Sequence, residues 1–336
     1  MIIQFFKKNY TRQIALFGLV SVILWLPAFF IHPATPRQDF FIPFADLFYT
    51  NGWISSWIKH LAGFALVVVE AVFLNHILVK HGLSSKMSFF PALLYVVLLS
   101  FDPRWLTLHP LLVTNLFFLQ TLSYLLRSYD VSSPYELVFN SGFFITCGSL
   151  FYPPFLFLSP LLFICFFVYR FYGWREWVLA LLGLITPWFF ALCYLYLTDA
   201  SGLFKEWFVV NAELLKNPSL PVFSFMEKVF GVILLLFLLF SISYFHNHTR
   251  DKGLSQRKKN IVFSYAFILS VPAVIYARKL GIALAVLSPT IVYLYSFFFF
   301  GKRKTKRSDF YLIIFFTFVA AYYIFILLNS SFRQEL

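Results

Sequence analysis

Long apolar runs alternate with short polar turns along almost the whole chain. In order, the runs are Ile14–Ile31, Leu61–Val79, Phe89–Phe101, Leu111–Leu126, Leu137–Phe151, Phe155–Tyr169, Trp177–Leu197, Val229–Phe245, Ile261–Tyr276, Ile282–Phe300 and Tyr311–Leu328. The first, of 18 residues, is about 27 Å long as a helix, close to a bilayer's hydrocarbon thickness. Pro153 and Pro154 cannot continue a helix and separate two runs that would otherwise merge. The pattern predicts an all-α, polytopic transmembrane bundle of about 11 spans. The three shortest runs, Phe89–Phe101, Leu137–Phe151 and Phe155–Tyr169, fall below the about 17 residues that a span needs. We read Ile14–Ile31 as a retained anchor, since no small-residue cleavage pattern follows it.

Two longer polar stretches interrupt the pattern, His32–His60 and Thr198–Lys228. Both carry helical periodicity. In the second, Leu203, Phe204, Trp207, Phe208, Asn211, Leu214 and Leu215 recur at spacings of three and four, opposite Lys205, Glu206, Glu213 and Lys216. This predicts a helix lying on the membrane surface.

Composition agrees with a membrane solvent. Hydrophobic residues make up 60% of the 336, with 48 Phe, and only 12% are charged against about 25% in a soluble domain. Cys147, Cys165 and Cys193 all lie in apolar runs without a metal-binding CxxC spacing. The net charge of +13 raises nucleic acid as a partner, but its distribution argues otherwise. With a cytoplasmic N-terminus and an outer C-terminus, 18 of the 27 Lys and Arg residues, and essentially all the excess charge, fall on the inner side. That is a topology signal for a multi-pass plasma (inner) membrane protein, with membrane lipids as partners and no nucleic acid.

Candidate chemistry is sparse. The first outer loop carries Asp39 and Asp46, with Arg37 and His32 nearby. Pro43 suits the first turn of a helix, which leaves Asp39 in the approach to it. A carboxylate beside a membrane groove can serve as a general base or hold a divalent cation next to a phosphate, and Arg37 and His32 can contact that phosphate. Asp102, Arg104 and His109 fall on the next outer turn, either lining the same vestibule or ending a span in a solvated Asp-Pro turn. Glu70 is the one acid inside a span, a position expected to face a bundle interior or cavity. His246 and His248 sit in a basic inner turn without a metal-ligand pattern around them. No P-loop, dinucleotide fingerprint, HExxH or GxSxG is present. No cofactor motif is present; the one cofactor these acids would suit is a divalent cation.

One span, an acidic outer loop with interfacial helices, further spans and a second amphipathic outer loop together resemble the GT-C glycosyltransferases over residues 1–228. The resemblance implies a polyprenyl-phosphate sugar donor on the outer face and an acidic catalytic residue in the first outer loop. On this chain that residue is Asp39, with Asp46 in reserve. Many members carry an Asp-Glu pair, whereas here Asp39 is followed by Phe40. The C-terminal helices, 229–336, would complete the same membrane domain. The segments GSLFYPPFLFLSPLLF (148–163) and WREWVLALLGLITP (174–187) also resemble a family of bacterial integral membrane proteins with no assigned activity. Two other functions fit the residues: a transporter or flippase using Glu70, and a non-catalytic scaffold of an envelope assembly.

Overall fold

The computed structural model describes residues 10–31, 55–84, 88–103, 106–171, 173–199, 201–216, 224–249, 252–277, 280–301 and 305–333. Every regular element among them is helical. The chain runs through α1 (Tyr10–Trp25), α2 (Ala28–Ile31), α3 (Ser56–Lys80), α4 (Phe90–Leu99), α5 (Pro110–Ser128) and α6 (Tyr135–Phe151). A 3-10 turn (Pro153–Leu158) leads to α7 (Pro160–Tyr169), α8 (Trp174–Leu197) and α9 (Ser201–Lys216). The C-terminal set is α10 (Phe225–Thr249), α11 (Leu254–Ile275), α12 (Leu280–Gly301) and α13 (Thr305–Arg333).

Among the described residues, seven segments are long and apolar enough to cross a membrane: Tyr10–Phe30, Trp57–Lys80, Trp174–Leu197, Phe225–Thr249, Leu254–Ile275, Leu280–Phe300 and Asp309–Leu328. They differ in what they face. Within its most apolar window, Leu280–Phe300 is 89% buried, whereas Trp174–Leu197 is 17% buried. The outer surface of α8 is a sheet of apolar side chains, including Ile185, Phe189 and Phe190. A soluble protein would not leave such a face open; lipid tails would cover it.

At the centre lie α12 and the short α4. Helix α12 packs against α4, α5, α10 and α11, so residues from the 229–336 segment sit among helices of the 1–228 segment. All nine residues from Phe90 to Leu98 are buried. At 10 residues, α4 rises only about 15 Å, half a bilayer. Its first turn is tied by α1: the buried Gln13 side-chain oxygen accepts from the Phe89 N–H at 2.7 Å. That bond satisfies a backbone donor which a helix start otherwise leaves open. At the other end of α1, the Trp25 indole donates to Ser100 Oγ just past α4 (2.9 Å).

Helices α6 and α8 approach unusually closely. A Cβ on Gly142 would lie 2.8 Å from the Ala180 carbonyl oxygen, and one on Gly183 would collide with the Phe139 carbonyl. Thr146 Oγ1 donates across the same seam to the Leu184 carbonyl (2.8 Å). Small residues with a cross-helix hydroxyl bond are how helices gain packing contact where lipid supplies little hydrophobic drive.

The two ends of the bundle are chemically distinct. Helix α3 spans about 37 Å, with Lys59 and His60 at one end and Lys80 and His81 at the other. At the second, basic end, Lys259 Nζ bonds both Asp130 oxygens (2.8 and 3.1 Å), while His81 Nδ1 lies 3.8 Å from Asp130 Oδ2. Lys258 and Lys259 also stand over the Tyr129 ring, at 5.1 and 5.6 Å. These contacts join the turn after α3, the α5–α6 turn and the start of α11.

Candidate functional site

Asp39, Asp46, Arg37, His32 and Arg104 lie outside the described residues. Asp102 and His109 are described, and both are buried, at 1% and 5% exposure. The Asp102 side chain is therefore packed rather than solvated. The turn that carries them follows from its sequence. Pro103 stops α4 from continuing, and Pro110 opens α5 with His109 as its extended N-cap.

This turn folds onto the start of α3. The Leu108 N–H donates to the Lys59 carbonyl (3.2 Å), and His60 Nδ1 lies 2.9 Å from the Leu106 carbonyl oxygen. Gly63 makes the approach possible, since a Cβ there would sit 2.8 Å from the Leu108 nitrogen. Lys59 and His60 are buried in consequence. Four polar side chains, Lys59, His60, Asp102 and His109, thus sit at one end of the bundle, where α3 begins. Burial lowers the His109 pKa to about 4, so its imidazole is neutral near pH 7. Lys59 and His60 were not among the sequence candidates. The available signal was an adjacent basic pair immediately before the run at Leu61.

A second polar group occupies the middle of the bundle. Glu70 is fully buried on α3, roughly halfway between Lys59 and Lys80. The Tyr95 hydroxyl of α4 donates to its Oε2 at 2.9 Å, while Oε1 meets no hydrogen-bond partner among the described residues. The Tyr95 side chain also meets Asn115 of α5 and Ser288 of α12. Asn115 Nδ2 and Ser288 Oγ both donate to the Ala285 carbonyl, at 2.9 and 2.8 Å. Four helices therefore meet around the Glu70–Tyr95 pair. Asn75, further along α3, is buried with its side-chain oxygen unpaired among the described residues, and His76 is exposed.

No known family, curated protein or solved structure matches the chain. Any role for these side chains must rest on their own chemistry. Among the described residues no three His, Cys, Asp or Glu side chains are grouped to hold a metal ion.

The amphipathic stretch after α8 forms helix α9, and its buried stripe is narrower than the sequence reading. Trp207 and Asn211 are buried and Leu214 and Leu215 half-buried, whereas Phe208 is 61% exposed beside exposed Val209 and Val210. Trp207 packs edge-on against Trp188 of α8 (4.4 Å), and the Tyr276 hydroxyl past α11 donates to the Leu215 carbonyl (2.8 Å). The helix is pinned along one line, and Phe208 points away from the bundle.

Proposed function

We propose that the chain is a multi-pass plasma-membrane protein, with a cytoplasmic N-terminus, an outer C-terminus and about 11 spans. Its function in this reading is glycosyl transfer from a polyprenyl-phosphate sugar on the outer face to a lipid or envelope acceptor. The observation that carries the reading is the burial of Lys59, His60, Asp102 and His109 at the end of the bundle where α3 begins, which in sequence directly follows the stretch that carries Asp39. Ionisable groups are seldom buried at this density without a polar task, although ion-pair architecture also produces such clusters.

In the transfer itself, an acceptor hydroxyl attacks the anomeric carbon. The bond from that carbon to the phosphate oxygen breaks, and the polyprenyl phosphate leaves with the electron pair. Asp39 takes the acceptor's proton, with Asp46 the reserve candidate. Arg37, His32 and Arg104 contact phosphate, and Asp102 and His109 line the same vestibule. A neutral His109 contributes hydrogen bonds rather than charge. A divalent cation held by Asp39 would serve the same leaving phosphate. The test is transfer from a polyprenyl-phosphate sugar in membranes carrying Asp39→Asn. Loss of transfer by a folded variant supports the reading, and unchanged turnover removes Asp39 from it.

The Glu70 cluster favours a second reading, a transporter or flippase in which Glu70 exchanges a proton with its cargo cycle. Here Glu70→Gln abolishes function and Asp39→Asn does not. Transport that ignores pH would count against it.

A further inference from the structure

We propose that a pocket at the basic end binds the phosphate group of an anionic membrane lipid. The pocket has a volume of about 420 Å³ and opens between the turn after α3, the α10–α11 junction and the end of α12. It is separate from both sites described above.

Its lining is rich in donors and, among the described residues, contains no carboxylate. Ser296 of α12 is 5% exposed, and its Oγ has no hydrogen-bond partner among the described residues. Other buried serines of the bundle bond back to their own helix: Ser288 to Ala285, Ser270 to Phe267 and Ser241 to Phe237. Ser296 alone of these four is left facing a cavity. A buried hydroxyl without a partner is costly unless something outside the protein supplies one.

Asn260 is oriented for the same purpose. Its Oδ1 accepts from the Tyr293 hydroxyl, so the other amide atom is the donor Nδ2. Lys252 supplies the charge. Its ammonium lies 5.8 Å from the Phe297 ring centroid and, unlike Lys259, is not neutralised by an aspartate among the described residues. His248 Nδ1 lies 3.0 Å from the Tyr244 carbonyl oxygen of its own helix, which holds the ring in the pocket wall. Hydroxyl, amide and ammonium donors without a carboxylate suit a phosphate oxygen.

The adjoining surface indicates a lipid as the carrier. An apolar groove of about 240 Å³ lies between α10, α12 and α13, lined by Phe237, Phe240, Phe298 and Tyr311 among others. Phe298 of the groove touches Tyr244 of the pocket, with ring centroids 5.8 Å apart. Ile233, Phe237, Phe240, Tyr244 and His248 recur at spacings of three and four, so groove and pocket follow one stripe of α10. A polar chamber at a helix end, continued by an apolar groove toward the bundle's middle, matches a headgroup and its acyl chain.

The experiment is native mass spectrometry and thermal melting of the full-length protein in maltoside detergent. Phosphatidylglycerol, phosphatidylcholine or inorganic phosphate is added to wild type, Ser296→Ala and Lys252→Gln. Wild type should retain phosphatidylglycerol in preference to phosphatidylcholine, and its melting temperature should rise with it. Each variant should bind about tenfold more weakly, the scale of one lost hydrogen bond to a charged group. Ser296→Ala should melt no lower than wild type in the absence of lipid, because its hydroxyl makes no bond to lose. Equal retention of the two lipids, or undiminished binding by both variants, would overturn the proposal. A melting shift produced equally by inorganic phosphate alone would overturn the lipid as the phosphate's source.

Discussion

The Tyr95 hydroxyl donates a 2.9 Å hydrogen bond to Glu70 Oε2 inside the bundle, and among the described residues it is the one donor to a carboxyl group with no exposure. The pair joins α3 to α4, and α4 is itself enclosed by α1, α3 and α12. The contact therefore helps fix the position of a helix too short to span a bilayer by itself.

Removing the donor should cost more than altering the acid. Tyr95→Phe leaves both carboxyl oxygens of Glu70 without a donor, and a buried group so stranded costs about 1–3 kcal/mol. Glu70→Gln keeps a carbonyl oxygen for Tyr95 and nearly the same volume. Thermal melting of the purified variants should place Tyr95→Phe clearly below wild type and Glu70→Gln close to it. The reverse order would show that the tyrosine bond is not what holds α4.

The seam between α6 and α8 should respond steeply to size. Gly183→Ala places a methyl group against the Phe139 carbonyl, a backbone atom that cannot move without shifting the helix. Overpacking of this kind costs about 1–3 kcal/mol. Gly18→Ala in α1 is the control, since nothing lies within 4 Å of its Cβ position. There the gain in helix propensity should leave stability unchanged or higher. Equal melting of the two variants would refute the close packing of α6 on α8.

Much of this architecture was legible in the sequence, because a membrane span needs only length and hydropathy. The runs around Val67, Leu181, Leu236 and Leu312 became long helices for that reason. The length of the run Phe89–Phe101 already marked α4 as short, but nothing in it showed that the helix would be enclosed, since an all-apolar segment has no polar face to reveal what surrounds it. Periodicity placed Trp207 and Asn211 on the inner face of α9 but also Phe208, which the Trp188 and Leu215 contacts turn outward. Glu70 stood out as an intramembrane acid. Its partner Tyr95, and the Asn115 and Ser288 side chains that meet Tyr95, did not, because three separate helices bring them in. The Asp102-Pro103 turn could be solvated or inward on sequence grounds; in the fold Asp102 is buried, and residues 106 and 108 of the same turn bond back to His60 and Lys59.

Acid should destabilise the folded protein through two histidines. Burial, and then the Lys259 ammonium, lowers the His81 pKa from 6.5 to about 4; burial alone does the same for His109. Between these values the unfolded chain takes up protons that the folded chain refuses, so stability falls as pH drops below about 6.5. The loss is complete once pH passes below about 4, where both states are protonated. Melting temperature measured against pH should decline through this window. His81→Gln should flatten the decline, and an unchanged slope in both His81→Gln and His109→Gln would show that these groups do not set it.

Lys259 is the more demanding partner in the ion pair with Asp130. Lys259 is 4% exposed, whereas the Asp130 side chain is half exposed. Asp130→Asn withdraws the countercharge from an ammonium that has little water to replace it, while Lys259→Gln leaves a carboxylate already in contact with solvent. The cost of stranding a buried charge exceeds that of freeing an exposed one. Asp130→Asn should therefore lower the melting temperature more than Lys259→Gln, by a difference of about 1 kcal/mol given the exposure of one partner. Because Asp130 also sits 3.8 Å from His81, the loss should persist at high salt, which screens surface pairs but reaches the buried ammonium less. Equal losses in the two variants, both abolished by salt, would mark the pair as an ordinary surface contact rather than the tie between α3, α5 and α11.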